Sequence, residues 1–430
     1  MMRKKIITHH YFKLCLYALF IGLIATLLAC SLKALTATYQ DKIFEKVSHT
    51  APLLYILLPS IGITLIYFLR KYAFKNKKNT GIREIYTTLE TRKNYLPFFK
   101  IPSHYINGFL TVIFGGSTGI EVSTVVATAT VGAVTHQHGK AAQVYKKELI
   151  CAGVAAGITA LFGNPLAGLL FAVEVISGKV SKPILISCGS AVLISGLTMY
   201  YLGTQPLLPF TVQQWHLQAL PFIVILSILS ALLAVYFTRI VILIKGLFSR
   251  ISNNFIRVNM GAILVGGLIF LLPYLYGDSY RGLIELLHHT DKYSFTLGFG
   301  FMLLALVLLK PLAASLTLGA GGDGGVFAPG IVSGAFLGIL FASACNYYLH
   351  TQLIVLNFAL IGIAATLSAA IHAPLTALSL TCYLVQGGYL LFVPILIAAF
   401  VGKIVAQKLL PYTVYTYKAS QPASVPLGRT

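Results

Sequence analysis

Runs without charge set the framework of this chain. Residues 14–32 and 51–69 each give nineteen positions with no Asp, Glu, Lys or Arg, about what one helical crossing of a bilayer needs. After Lys182 come fifty-six such positions, through Thr238, and from 311 to 402 the single charge is Asp323. Windows of that length hold several helices each, so hydropathy alone undercounts them. The pattern predicts three or four helices between 183 and 245 and one more over 258–277. Polar stretches at 72–100, 136–148 and 278–292 read as connections, and 418–430 reads as a short polar tail.

Composition turns these runs into a class. Hydrophobic residues make up 57% of the 430 positions and charged residues 10%, where a soluble domain carries about 25% charged. This is the profile of a polytopic, all-α membrane protein. Arg3, Lys4 and Lys5 precede the first run; Arg70, Lys71, Lys75, Lys77, Lys78 and Arg83 follow the second; Arg239, Lys245, Arg250 and Arg257 form a third basic connection. Two crossings separate the first two clusters, so they share a side, and the positive-inside rule makes that side cytoplasmic, with a retained first helix. A bacterial inner membrane is the expected location. The same rule accounts for most of the net charge of +21, which otherwise would suggest nucleic acid as a partner. The six cysteines lie in apolar segments without metal-ligand spacing, and neither metal nor cofactor is expected.

One acid then needs explaining. Glu121 is the single formal charge between residues 101 and 139, at the end of Gly115-Gly116-Ser117-Thr118-Gly119-Ile120-Glu121-Val122-Ser123. A carboxylate at a bilayer centre costs roughly 2.5–3.5 kcal/mol. Glycines let backbones approach closely and start helices whose N–H groups face a cavity. Glu121 is therefore read as sitting at an anion site built from helix N-termini; the alternative is a merely solvated glutamate.

The second half of the chain echoes the first. Gly319 to Pro329 repeats the glycine run, with G-x-F-x-P where the first half has G-x-E-x-S. Ala373-Pro374-Leu375-Thr376 echoes Asn164-Pro165-Leu166-Ala167. The offsets are 206 residues from Gly119 to Gly325 and 209 from Pro165 to Pro374. Paired segments interrupted by Gly or Pro in two halves mark a transporter binding site. Broken helices are tolerated at membrane depth only where buried or lining a wet cavity, and their N-termini carry about half a positive charge. Such a site holds an anion without a fixed cation. The expected organisation is one transmembrane domain over 1–430, with halves of roughly 1–205 and 206–417.

These motifs resemble those of the CLC family of chloride channels and chloride/proton antiporters, of the bacterial type without the cytoplasmic regulatory (CBS) domains. Gly325 to Pro329 matches G-x-F-x-P, and Asn164 to Glu174 is close to the family's pattern. The resemblance implies two inverted-topology repeats with re-entrant helices, a homodimer with one pathway per subunit, and chloride and protons as partners. It implies that Glu121 is the gating and proton-exchanging glutamate of a pore that in some members is voltage-gated. It implies an anion site of Thr80, Gly119, Ile120, Gly325, Val326, Phe327 and Tyr415, with Tyr412 as the other candidate tyrosine. Departures are as informative. The family's G-R-E-G-P reads Gly119-Ile120-Glu121-Val122-Ser123, and its G-S-G-I-P reads Asn79-Thr80-Gly81-Ile82-Arg83. Val175 stands where antiporters usually carry an inner glutamate. The adjacent Glu174 is read as a structural acid behind the site rather than a proton relay. Passive conduction and proton-coupled exchange both stay open, as do fluoride and nitrate as substrates.

Literal motif matches from other classes lack their context. Gly115 to Gly119 spells G-x-S-x-G and Gly319 to Gly324 spells G-x-G-x-x-G, without the α/β surroundings that give either its chemistry. An intramembrane enzyme would have Ser117 with His372 as its one conceivable dyad, so no enzyme activity is expected. His136, His138, His288 and His289 read as solvated, His372 as a bonded core histidine, and Asp323 as a helix cap.

Overall fold

The computed structural model describes residues 2–77, 79–91, 96–139, 144–292 and 295–417; the polar tail at 418–430 lies outside them. Among the described residues the chain forms sixteen α-helices: α1 Met2–Thr50, α2 Leu54–Phe68, α3 Ile82–Glu90, α4 Lys100–Ile113, α5 Glu121–His138, α6 Lys146–Phe162, α7 Pro165–Phe171, α8 Lys182–Tyr201, α9 Leu220–Ser249, α10 Asn254–Leu271, α11 Tyr280–Lys292, α12 Leu297–Ala320, α13 Phe327–Tyr348, α14 Val355–Ile371, α15 Pro374–Tyr383 and α16 Phe392–Leu409. Eight helical stretches are long and apolar enough to cross a membrane, while α14 and α7 with its π-type extension are apolar but short. The protein is an integral membrane protein.

Two predicted connections are built differently from the sequence reading. Between 183 and 245 there are two long helices, α8 and α9, not three or four. Pro206 and Pro209 hold the apolar 202–216 stretch extended, where Leu208 and Val212 donate to the Leu384 and Gln386 carbonyls. The expected loop at 278–292 is mostly helix α11: Leu283, Leu286 and Leu287 recur at helical spacing and are buried, the signature of an amphipathic helix. The 72–100 stretch likewise contains α3.

The two sequence echoes recur as matched contacts in space. Gly132 on α5 meets the backbone of Leu149 on α6; Gly338 on α13, 206 residues on, meets Phe358 on α14, 209 residues on. Gly153 approaches the Thr128 carbonyl, and Gly362 approaches that of Gly334, again at offsets of 209 and 206. A side chain at any of these glycines would push the paired helices apart. α6 ends on Gly163 (φ 71°) and α14 on His372 (φ 57°), equivalent left-handed positions. Prolines then start α7 and α15, where a missing N–H costs nothing. His372 is thus a half-buried helix terminator, and among the described residues no hydrogen bond to its ring is seen.

Candidate functional site: two glycine turns and a buried glutamate

α4 ends at Ile113, and Gly115 (φ 83°) turns the chain back through the protein. Gly119 then pairs antiparallel with Gly325 of the second half. The Thr118 hydroxyl fastens the pair, donating to the Gly325 carbonyl at 2.8 Å and accepting from its N–H at 3.0 Å. Immediately beyond this bridge α5 begins at Glu121 and α13 at Phe327. The preceding residues, Ile120 and Val326, provide no side-chain cap, so the first-turn N–H groups of both helices are available to a guest. Glycine is required on both sides: a Cβ at Gly119 would lie 2.5 Å from the Ala328 Cβ, and one at Gly325 would overlap Val122.

The Glu121 side chain folds back over Gly119 into this spot and is 4% exposed. One carboxylate oxygen accepts from the Tyr280 hydroxyl at 3.2 Å. The other points toward the Ala328 N–H at the start of α13 without reaching hydrogen-bond geometry. One helix terminus contributes about 0.3–1 kcal/mol, up to about 2 when partly buried, which falls short of the burial cost of roughly 2.5–3.5. Two termini and a hydrogen bond to a charged acceptor, worth about 1.5–3 kcal/mol, offset it. A small anion placed here would meet the same donors.

Cavities approach from both faces. One of about 530 Å³ is lined by Lys33, Asp41, Ile120, Glu121, Asp278 and Tyr280. The other, about 680 Å³, includes Thr80, Val122, Gly325, Val326 and Tyr415. The first opens at the end of α1 and after α10; the second opens after α2 and before α10, so they lie at opposite ends of the spans. Consecutive residues of α5, Glu121 and Val122, face the two cavities. The second is basic: Arg70, Arg83, Lys245 and Arg257 line it, an arrangement that raises local anion concentration.

The other sequence-predicted residues fall around this point. The Tyr415 hydroxyl is buried, faces Gly325 and the Val326 N–H, and among the described residues meets no hydrogen-bond partner. Tyr412 instead packs against Tyr417 in a tilted pair, with ring centroids 5.1 Å apart. The ring of Phe327 packs against Phe162 and Phe171 in the core. Thr80 lines the basic cavity while its N–H donates to the Glu84 carboxylate. Glu174 lies apart from the glycine turns. It accepts from Leu375 N–H at 3.2 Å and from both the N–H and the hydroxyl of Thr376 at 2.7 Å, capping α15. Asn164 caps α7 through its own side chain in the same way. The carbonyl of neighbouring Val175 accepts from Tyr86 at 2.8 Å.

Asp323 is not the helix cap that its glycine-rich turn suggested. Its carboxylate accepts from His104 at 3.0 Å, Ser123 at 3.1 Å and Asn79 at 2.9 Å, with Arg70 4.0 Å away. Glu84 joins through His104 at 3.8 Å and Lys100 at 2.8 Å. Burial pushes the Glu84 carboxyl upward, but His104, Lys100 and the Thr80 N–H outweigh it, and the group ends below the usual carboxylate range. This cluster was missed in sequence because Lys100, Ser103, His104, Asn107 and Thr111 form one polar stripe on an otherwise apolar helix, visible only at helical spacing.

A second buried basic side chain bonds the segments behind the glycine turns. Lys310 on α12 is fully buried and donates to Ser117 Oγ at 2.9 Å, the Gly277 carbonyl at 3.0 Å and Ser279 Oγ at 2.7 Å. Ser117 also donates to the Leu275 carbonyl at 2.8 Å, so its hydroxyl is engaged away from any dyad with His372. Of the histidines read as solvated, His138 and His288 are exposed, the latter with its ring against Phe210, whereas His136 is buried and His289 stacks on Phe299.

Comparison with known proteins agrees with this geometry. The family model described as voltage gated chloride channel matches residues 61–407. An "H(+)/Cl(-) exchange transporter ClcA" of Yersinia pestis bv. Antiqua (strain Angola) is 26% identical over 366 residues, covering 83% of this chain and 75% of the relative. The protein of that name from Citrobacter koseri is 26% identical over 368 residues, covering 83% and 76%. In fold, the chain is similar to a slow cyanobacterial Cl⁻/H⁺ antiporter (TM-score 0.78, 22% identity, 94% and 96% covered). It is also similar to a CLC-type fluoride/proton antiporter (TM-score 0.77, 23% identity, 94% and 97% covered). With the family model spanning most of its length, the chain belongs to the voltage-gated chloride channel (CLC) family.

Proposed function

We propose that this protein moves chloride, or an anion of similar size, across the membrane through the meeting point of α5 and α13, with Glu121 as the gate. The observation that carries this reading is the Glu121 carboxylate lying against two uncapped helix N-termini, between cavities that open at opposite faces. Protonated, the side chain loses its attraction for those N-termini and leaves them to the anion. Thr80 and Tyr415 line the approach from the basic cavity, and the backbone of Gly119, Ile120, Gly325, Val326 and Phe327 forms the seat. The basic cavity is cytoplasmic, as is the N-terminus, in a bacterial inner membrane. The protein works as a homodimer with one pathway per subunit.

Proton-coupled exchange is the favoured mode, supported by relatives that bear that name. Val175, where an inner acid would stand, favours passive conduction as the second reading. A chloride gradient across proteoliposomes with external pH recorded separates them: uphill proton movement establishes exchange, and chloride dissipation alone establishes a channel. Competition by fluoride and nitrate in the same assay sets the preferred anion. Absence of anion flux at every pH from 4 to 7.5 would overturn both readings.

A further inference from the structure

Lys310 is a fully buried basic side chain within α12 that anion gating does not use. A buried lysine at bilayer depth costs roughly 2.5–3.5 kcal/mol, and an apolar side chain would fill α12 without that cost. Its three hydrogen bonds are all to neutral oxygens. The pseudo-equivalent His104 shows what a neutralised cation looks like here, since its partner is the Asp323 carboxylate. Lys310 has Ser117 at that place.

The same three bonds grip both segments that flank the gate. Ser117 belongs to the turn leading into Glu121. Gly277 (φ 56°) and Ser279 (φ 68°) belong to the turn leading into Tyr280. A serine in the left-handed region is uncommon and costs free energy; Lys310 bonds its hydroxyl and the Gly277 carbonyl, holding that shape. Asp278 completes the turn, accepting from Gln40 at 3.2 Å and from the Tyr280 N–H at 3.1 Å. Tyr280 then reaches Glu121.

We infer that Lys310 is the positioning residue of the gate: it fixes the 277–280 turn that presents Tyr280 to Glu121. Titratable groups around Glu121 are Tyr280 from α11, Asp278 from the turn and Tyr415 from the C-terminal segment, with Lys310 of α12 behind the turn. Asp41 on α1 acts on Asp278 in turn. Beside Glu121 itself, Ile120 brings no charge.

This inference rests on Glu121 being the gate, and its test separates the two. Anion flux is recorded against pH in proteoliposomes for the native protein, Lys310→Met, Asp278→Asn and Glu121→Gln. Releasing the turn withdraws the Tyr280 hydroxyl from the Glu121 carboxylate, so Lys310→Met moves the flux midpoint upward by about one pH unit. Asp278→Asn keeps an oxygen for Gln40 and Tyr280, removes a like charge, and moves the midpoint downward. In the Glu121→Gln background neither substitution moves a midpoint. A pH profile that survives Glu121→Gln overturns the gate. A profile that Glu121→Gln abolishes, with the midpoint unmoved in Asp278→Asn and in folded Lys310→Met, overturns the role of Lys310 alone. If Lys310→Met does not fold, the direction of the Asp278→Asn shift decides, and no shift or an upward one counts against the inference.

Discussion

His104 and Lys310 occupy the same place in the two halves of the chain, 206 residues apart, and each reaches across to the other half. His104 bonds Asp323 at 3.0 Å; Lys310 bonds Ser117 at 2.9 Å; and Ser117 and Asp323 are themselves 206 residues apart. The backbone repeats the exchange: the Asp323 N–H donates to Thr111 at 2.9 Å and the Ser117 N–H to Thr317 at 3.1 Å. Thr111 and Thr317 share the offset. Two buried basic side chains thus lock the two glycine turns, which meet at the Gly119–Gly325 bridge. The pairing is symmetric in geometry and asymmetric in charge.

His104 cannot be replaced by an apolar residue. His104→Leu leaves Asp323 and Glu84 buried beside fewer donors, a loss of about 3–5 kcal/mol when one partner of a buried ion pair is removed. His104→Lys, the residue used by the other half, keeps a cation and retains the fold. Size-exclusion profiles and thermal unfolding of the two variants in detergent check this; equal stability would contradict it.

Gly325→Ala forces Val122 and the first turn of α5 aside. Overpacking of this kind costs roughly 1–3 kcal/mol, and the displaced N-terminus no longer meets the anion. Anion flux should fall at least about tenfold, with a lowered unfolding temperature. Unchanged flux would show that the seat lies elsewhere.

Glu174 tests the difference between a helix cap and a proton relay. Glu174→Gln weakens the hold on the Leu375 and Thr376 N–H groups, a loss of about 1 kcal/mol, and leaves the proton-to-anion ratio as it is in the native protein. A relay would show the reverse, a lost ratio with stability retained, when both are measured on one preparation.

The acid limb of stability carries a sign. Glu84 is held below the usual carboxylate range, so its ionised form favours the folded state at neutral pH. That contribution is present above the unfolded carboxyl's value of about 4.3 and is lost as pH falls through the lower folded value. Glu84→Gln therefore destabilises at neutral pH and removes part of the fall in unfolding temperature seen below about pH 4. A variant that tracks the native curve throughout would contradict the role given to Glu84.

Much of this was legible in the chain because glycine, proline and charge are costly inside a membrane. Glu121, Gly119 and Gly325 stood out for that reason, and the 206 and 209 offsets followed from them. The helix count failed where Pro206 and Pro209 stretch an apolar segment, and where α11 hides a buried face among polar residues. The lock on the turns was harder to see. His104 counts as uncharged in a formal tally, and Lys310 reads as the edge of a charge-free run. Each has a partner some two hundred positions away in the other half, His104 in Asp323 and Lys310 in Ser117, and such a pairing leaves no local pattern.

The seat itself can be seen directly. Crystals of Glu121→Gln grown in bromide, with anomalous scattering recorded, should place the ion between the first turns of α5 and α13, beside Gly119 and Ala328, where the native carboxylate lies. Bromide absent from that point, with the glutamine occupying the glutamate's position unmoved, would mean that acid and halide do not exchange places there.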